Sequence, residues 1–217
     1  MLKCHLLSAA LLGLLAFGAW NVGHGAYIYA KAALAQHLLR QAWEDTRQGQ
    51  VAVKPWSWAD TYPVARLSMP QLNVDQIVLA GASGRTMAFG PGHVDGTPLP
   101  GSAGNSVLTA HRDTHFAFLQ QVQLGDTFSV ENAQGKTTHY VVQATRVVDQ
   151  SEVGVMRPSV EEQLTLITCY PFNAVRPGGP LRYVVTALPR EEQKIAQGRI
   201  EQADARTAAF VPGFSLR

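Results

Sequence analysis

The stretch LTLITCYPF at residues 164–172 joins a strand-like apolar run to a turn, and a single cysteine, Cys169, stands at the junction. Aliphatic and β-branched residues fill the first five positions, as is typical of a strand. The Tyr-Pro pair that follows predicts a turn, because proline has no backbone N–H to donate to a sheet. Cys169 is therefore expected at or just past the end of a strand, where a rigid element can present its side chain.

Short β-branched runs of the same kind recur from position 63 onward, separated by turn signals. They are VARLSM (64–69), VDQIVLA (74–80), NSVLTA (105–110), TFSVEN (127–132), KTTHYVVQATRVV (136–148), QLTLIT (163–168) and LRYVVTAL (181–188). ENAQGK at 131–136 separates two of them and predicts a hairpin. A long Gly/Pro-rich connection covers residues 81–105, and loops of that length are usually functional or disordered. Seven or eight short strands with few helices predict a mostly β domain, either a sandwich or a closed barrel.

Length and composition limit the number of domains and the class of protein. The chain has 217 residues, which allows one domain of ordinary size with length left over. Its net charge is only +2 and no block of basic residues stands out, so nucleic acid is not expected as a partner. The hydrophobic content of 46% suits a globular core with an added apolar segment.

The added apolar segment is at the N-terminus. Residues 6–30 contain no Asp, Glu, Lys or Arg, and a bilayer core is spanned by about 20 apolar residues. Trp20, Tyr27 and Tyr29 suit the interfacial belt on the far side. AFGAW and GHGAY fit the cleavage site of a signal peptide only loosely, so we favour an uncleaved anchor. We expect residues 1–5 in the cytoplasm, a single pass through the plasma (inner) membrane, and a body facing the periplasm or cell exterior.

Residues 31–62 are predicted to connect the anchor to the body. KAALAQHLLRQAWEDTRQGQ at 31–50 has near-helical apolar spacing and predicts a juxtamembrane helix ending near Gly49. KPWSWADTYP at 54–63 predicts an extended aromatic linker, because its prolines exclude a continuing helix. The body follows at 63–190, and residues 191–217 form a polar tail. We expect the juxtamembrane helix to set the height of the body above the bilayer.

Cys169 has no plausible disulfide partner in an exported body. The other cysteine, Cys4, would lie within or across the membrane. A lone thiol in an oxidising compartment suggests a reactive or intermolecular role. A buried cysteine that acts as a small hydrophobe is the competing interpretation, and Cys169 alone does not decide between them.

A histidine and an arginine at other strand ends could complete a site. VLTAHRDTHF places His111 after a β-branched run, and an imidazole beside a thiol helps to form the thiolate. His115 and His93 are the alternatives for that role. Arg182 begins the last strong strand, where its fixed positive charge would suit an oxyanion, with Arg176 of the preceding turn as the competing choice.

These segments resemble one known family. LTLITC resembles the Thr-Leu-x-Thr-Cys signature of sortases, the cysteine transpeptidases, TAHRDTHF resembles their histidine segment, and PLRYVV resembles their arginine strand. FGPGHVDGTPLPGSAGNSV at 89–107 is similar to the loop before that histidine. The anchor, the aromatic linker and DTHF look most similar to the sortase type of Gram-negative bacteria. The loop YPFNAVRPGGP departs from the acidic or threonine-rich turn of many sortases, which leaves the recognised sorting sequence open.

The resemblance implies a closed eight-stranded β-barrel with short helices behind a transmembrane helix. It implies that Cys169 attacks a sorting signal similar to Leu-Pro-x-Thr-Gly, that His111 transfers protons and that Arg182 steadies the oxyanion, with no metal or organic cofactor. The implied partners are an exported protein with a C-terminal sorting signal, an amine-bearing acceptor, and membrane lipid around the N-terminal helix. The residues expected to contact substrate are His93, Thr109, Asp113 and Thr168.

Two other functions are considered. A membrane-tethered cysteine protease would use the same residues but hydrolyse the signal instead of transferring it. A histidine-based metal-binding module is the remote alternative, because His111 and His115 are four residues apart. No third ligand is placed convincingly by the sequence.

Overall fold

The computed structural model describes residues 2–176 and 178–190, so the predicted polar tail at 191–217 lies outside the described residues. A long N-terminal helix, α1 (Leu2–Arg47), precedes a closed barrel of eight strands. The strands are β1 (Pro63–Met69), β2 (Val74–Ala80), β3 (Gly92–His93), β4 (Asn105–Thr109), β5 (Thr127–Asn132), β6 (Thr137–Asp149), β7 (Gln163–Cys169) and β8 (Leu181–Pro189). One short α-helix, α2 (Gly84–Met87), and 3₁₀ turns at Pro70–Leu72, Ala117–Gln121 and Val153–Met156 fill connections. The predicted fold class is confirmed.

The strands follow the order β1-β2-β3-β4-β7-β8-β6-β5 around the barrel. The β2–β3 and β4–β7 pairs are parallel, and the other pairs are antiparallel. Strand β7 therefore lies between β4, which is far from it in sequence, and β8, the next strand along the chain. This arrangement brings the chain after β4, the end of β7 and the start of β8 to one end of the barrel.

Every second side chain along a strand points inward, and these side chains fill the barrel interior. Along β7, Leu164 and Leu166 point inward into the main core, whereas Ile167 packs in a separate cluster on the outer face. Three large aromatic residues, Phe116, Phe128 and Tyr140, are fully buried in the main core. The outer cluster matters for function, because it covers the same face of β4, β7 and β8 as the residues described below.

Strand β3 is the one strand that the sequence pattern did not predict. It has two residues, and it lies inside the Gly/Pro-rich connection, so no apolar alternation marks it. Its glycine is required by close packing: a Cβ on Gly92 would lie 2.4 Å from the carbonyl oxygen of Gly81. The same connection contains α2, whose first turn is capped by Ser83 through a hydrogen bond from the Thr86 N–H.

Helix α1 runs without a break from the uncharged segment into the juxtamembrane segment. Among the described residues, it is the helix long and apolar enough to cross a membrane. Its later part is not a free spacer, because Leu39 and Trp43 are buried against Ile77 and Leu79 of β2. The expected height-setting helix is thus also part of the packed body.

Candidate active site

Cys169 and Arg182 lie directly opposite each other on neighbouring strands. Cys169 is the last residue of β7, Arg182 is the second residue of β8, and the two are register partners in the antiparallel β7–β8 ladder. Opposed residues of an antiparallel pair project to the same face, with Cβ atoms about 5 Å apart. The sheet therefore places the Arg182 side chain on the same face of the barrel wall as the Cys169 thiol.

His111 follows two residues after the end of β4, the strand that flanks β7 on the side opposite β8. Strand β4 runs parallel to β7, with Thr109 level with Ile167, and the next residue continues the pairing through an Ala110 N–H to Ile167 carbonyl hydrogen bond of 3.4 Å. The buried Thr168 hydroxyl also donates to the Ala110 carbonyl at 2.7 Å. Continuing this register by one more residue places His111 level with Cys169, one strand spacing of about 4.8 Å away.

The three side chains are on the accessible side of the barrel wall. Cys169 alternates with the inward-pointing Leu166 and Thr168, so its side chain projects outward with that of Ile167. It is unpaired and partly exposed, and His111 is exposed. A thiol in this position is open to a substrate, so the interpretation of Cys169 as a core cysteine is wrong.

The family follows from a direct match. Residues 67–190 match the family model described as the Sortase domain, which is more than half of the chain. The chain belongs to the sortase family. The matched range contains all eight strands except the first residues of β1, and it includes His111, Cys169 and Arg182.

Curated and solved relatives agree with this assignment. Sortase D of Bacillus subtilis (strain 168) is 31% identical over 120 residues, a match that spans 55% of this chain and 60% of that protein. The crystal structure of sortase C-1 from Actinomyces oris is 34% identical, with a TM-score of 0.53, over 58% of this chain and 72% of that chain. The Clostridium perfringens sortase D5 transpeptidase is 19% identical, and it shares the fold with a TM-score of 0.59 over 72% of this chain and 98% of its own. Enzymes of this family are cysteine transpeptidases.

A groove lies beside Arg182 in this sortase, and neither Cys169 nor His111 is among its lining residues. It has a volume of about 180 Å³, and Arg182, Thr109 and Ile167 contribute to its lining. The rest of the lining comes from the outer faces of neighbouring strands and the segment after β6: Val94, Val148, Asp149, Gln150, Glu152, Val153, Val155 and Met156. The walls are largely aliphatic, which suits an apolar peptide side chain.

The side chain of Arg182 is held by three hydrogen bonds. Its Nη1 donates to the carbonyl oxygens of Gly179 at 2.8 Å and Leu181 at 2.9 Å, and its Nη2 donates to Gln150 Oε1 at 2.9 Å. Nearby, hydrogen bonds from Ser151 lower the pKa of Asp149, and the positive charge of Arg182 acts in the same direction. The groove therefore carries a carboxylate and a fixed cation at one rim.

Arg112, which the sequence analysis did not single out, links the histidine segment to the loop after Cys169. Its Nη2 donates to the carbonyl oxygens of Ala174 at 3.0 Å and Arg176 at 3.1 Å. The residue is only 8% exposed, and its Nη1 has no partner among the described residues. A buried guanidinium bound to two carbonyls fixes both loops at once. Its position directly after His111 was the signal that could have identified it.

The residues predicted to contact substrate divide into two groups. Thr109 lines the groove, and Asp113 is exposed in the turn after His111. His93 is buried, with Nε2 at 2.9 Å from the Pro98 carbonyl oxygen, and Thr168 is buried with its hydroxyl bound to Ala110. Of the four, the structure places Thr109 in the groove, Asp113 is exposed two residues after His111, and His93 and Thr168 make bonds within the protein.

His115 is the second histidine of the segment. Burial lowers its pKa, a hydrogen bond with the Ala88 backbone opposes that change, and the nearby charge of His111 adds to the lowering. Its carbonyl accepts a hydrogen bond of 2.8 Å from Gln76 Nε2. Within the described residues, no group of three or more His, Cys, Asp or Glu side chains could hold a metal ion.

An aromatic cluster holds the loop that follows Cys169. Tyr170 stacks on Tyr183 with ring centroids 6.2 Å apart, and Phe172 meets Tyr183 edge-on at 5.2 Å. The two rings of the loop are thereby fixed against β8 of this sortase. The apolar sequence after Cys169, read as a departure from the family, forms this packed loop.

Proposed function

We propose that this protein is a membrane-anchored cysteine transpeptidase that cleaves a sorting signal similar to Leu-Pro-x-Thr-Gly and transfers the released acyl group to an amine. The observation that supports the proposal is the pairing of Cys169 with Arg182 across β7 and β8, with His111 two residues past the end of β4, the parallel neighbour of β7. The substrate is an exported protein with its signal at the C-terminus. The acceptor is a second molecule bearing a primary amine.

The proposed first half-reaction forms a thioester. The thiolate of Cys169 attacks the scissile carbonyl carbon, and the electron pair of the C=O bond moves to oxygen. Arg182 stabilises that oxyanion, because a fixed guanidinium matches the charge that develops there. The C–N bond then breaks, and the protonated imidazole of His111 gives its proton to the leaving amine.

The second half-reaction reverses these roles. The incoming amine attacks the thioester carbon, neutral His111 accepts its proton, and the sulfur leaves as thiolate when the new amide forms. Thiol, imidazole and guanidinium complete the chemistry without a metal or organic cofactor.

The proposed location is the plasma (inner) membrane, with α1 crossing once and the barrel facing the periplasm or cell exterior. A substrate with its own apolar tail would share that membrane, and confinement raises the effective concentration of one partner near the other. The anchor, the aromatic linker and DTHF favour the sortase type of Gram-negative bacteria, which stays a prediction.

The decisive experiment uses the full chain in detergent with a Leu-Pro-x-Thr-Gly peptide, with and without a primary amine. The expected result is a thioester adduct of Cys169 in the absence of amine and a ligated peptide in its presence, both detected by mass spectrometry. Cys169→Ala should give neither product. If hydrolysed peptide were the sole product at saturating amine, the protein would be a cysteine protease and the transfer reaction would be excluded.

A further inference from the structure

An exposed apolar surface lies where α1 leaves its uncharged segment. It surrounds a cavity of about 380 Å³ between α1, the aromatic linker and the residues after α2. Leu34 and Leu38 of α1 contribute one side, and Trp56, Trp58 and Phe89 contribute the other. We call these five residues the helix–linker surface.

Part of this surface is exposed to water, and part is held by contacts within the protein. Trp58 is 84% exposed and Leu34 is 57% exposed, whereas Leu38, Trp56 and Phe89 are partly buried. Trp56 packs edge-on against Phe89 with ring centroids 4.9 Å apart, and Gln36 Nε2 donates to the Phe89 carbonyl at 2.7 Å. Contiguous apolar surface that is held open to water marks an interaction site.

Its height along α1 suits the bilayer interface. Tyr29 is 79% exposed, and it is the last aromatic residue of the uncharged segment. Leu34 follows five residues later, about 7.5 Å further along the helix axis. The headgroup layer of one leaflet is roughly 5–8 Å thick. With Tyr29 in the interfacial belt, the helix–linker surface begins at the headgroup layer.

The charges around the cavity fit the same environment. Lys31 and Arg85 line it, together with one acid, Asp60, which pairs with Arg85 at 3.5 Å. Lysine and arginine next to a bilayer approach lipid phosphates, and tryptophan prefers the layer just below them.

We propose that the helix–linker surface is a second membrane contact, occupied by the headgroups and upper acyl chains of the bilayer that holds α1. The inference rests on the membrane anchoring proposed above, and it adds that one side of the barrel rests on the bilayer in a fixed orientation. Ala88, next to Phe89, lies close enough to His115 to affect its pKa, so this contact adjoins the histidine segment.

The test uses full-length protein with Cys4→Ser and Cys169→Ala, and with one new cysteine carrying an environment-sensitive fluorophore. Trp58→Cys and Leu34→Cys report on the surface, and Phe17→Cys in the uncharged segment reports on anchoring. Val160→Cys is the aqueous control, because Val160 is 94% exposed in the connection between β6 and β7. Each protein is reconstituted in phosphatidylcholine–phosphatidylglycerol vesicles with and without doxyl-labelled lipid.

Labels at 58, 34 and 17 should lose roughly half of their fluorescence to the doxyl lipid, while the label at 160 keeps it. Quenching at 17 with none at 58 and 34 would overturn the second contact while leaving the anchor intact. A blue-shifted but unquenched label at 58 would also overturn it, because protein and not lipid would then cover the surface. Absence of quenching at 17 would overturn the anchoring itself.

Discussion

Arg112 Nη2 lies 3.0 Å from the carbonyl oxygen of Ala174, so the residue after His111 is bonded to the loop after Cys169. The candidate catalytic residues His111 and Cys169 follow or end different strands. Arg112 is the hydrogen-bond donor that keeps the segments next to them in one arrangement. The register of β4 and β7 places their backbones, and Arg112 fixes the segments beyond the strand ends.

Replacing Arg112 tests this positioning role. Lysine keeps the charge but cannot reach both carbonyls with a planar fork, so Arg112→Lys should lower kcat about tenfold, since a hydrogen bond to a charged group contributes about 1.5–3 kcal/mol. KM for a short peptide should change little, because Arg112 is not part of the groove lining. Steady-state transfer rates measure both constants.

The matched control is Arg176→Ala, which removes an exposed arginine from the same loop but keeps the carbonyl that Arg112 bonds. It should retain wild-type kcat. Equal losses in Arg112→Lys and Arg176→Ala would show that loop charge, and not the bond between the loops, is responsible.

Arg182→Lys should reduce kcat by about 10²- to 10³-fold, the loss expected when one oxyanion donor is removed. An ammonium group cannot reproduce the three bonds that the Arg182 guanidinium makes to Gly179, Leu181 and Gln150. Arg146→Lys on β6 is the control, because Arg146 is exposed and lies outside the groove lining. An Arg182→Lys enzyme with full activity would remove this side chain from the mechanism.

Thr168→Val should weaken the link between β7 and the His111 segment. The buried hydroxyl would no longer donate to the Ala110 carbonyl, at a cost of about 1–3 kcal/mol in the free energy of unfolding. Thr168→Ser keeps the donor and should restore most of the stability. Urea unfolding of both variants in detergent measures the difference, and identical midpoints would argue against the link.

Leu39→Ala should lower the free energy of unfolding by about 2–5 kcal/mol, because Leu39 is fully buried between α1 and β2. Leu34→Ala, on the exposed side of the same helix, should change it by less than about 0.5 kcal/mol. Thermal unfolding in the same detergent compares them. Similar Tm values for the two variants would mean that α1 does not support the barrel.

His115 should make stability fall on mild acidification. Burial lowers its pKa in the folded protein, so below about pH 6.5 the unfolded chain binds the proton more readily. The contribution of neutral His115 to the free energy of unfolding is complete above that pH. It is lost as the pH falls toward the lowered pKa of the folded protein. His115→Gln should reduce the slope of stability against pH below about pH 6.5 but not above 7, as measured by urea midpoints. An unchanged slope below pH 6.5 would contradict the burial effect.

The strands that line the site were predictable because each has its own β-branched run. Cys169 and Arg182 end and begin such runs, so their strand positions could be read directly. Their pairing could not be read from the runs, because a register depends on contacts between distant segments. That pairing was implied by the family resemblance, and the structure shows which residues of β7 and β8 lie opposite each other.

Other features left no local pattern. Strand β3 was missed because two residues are too few to alternate. The burial of His93 and Thr168 depends on which face each strand turns inward, and a one-residue change of register would have exposed them. Trp43 was recognised as part of an apolar helical stripe, but nothing in the sequence indicated that β2 would cover it.

Helix α1 contains the uncharged segment and also packs on β2. The position of a proteolytic cut in α1 therefore decides whether the released barrel keeps the residues that cover β2. Cleavage between residues 31 and 38 would release a soluble barrel that still carries Leu39 and Trp43 as its outer seal. Cleavage a few residues later would strip that seal and expose Ile77 and Leu79 to solvent. Release of an intact enzyme therefore requires cleavage within a short stretch of this helix.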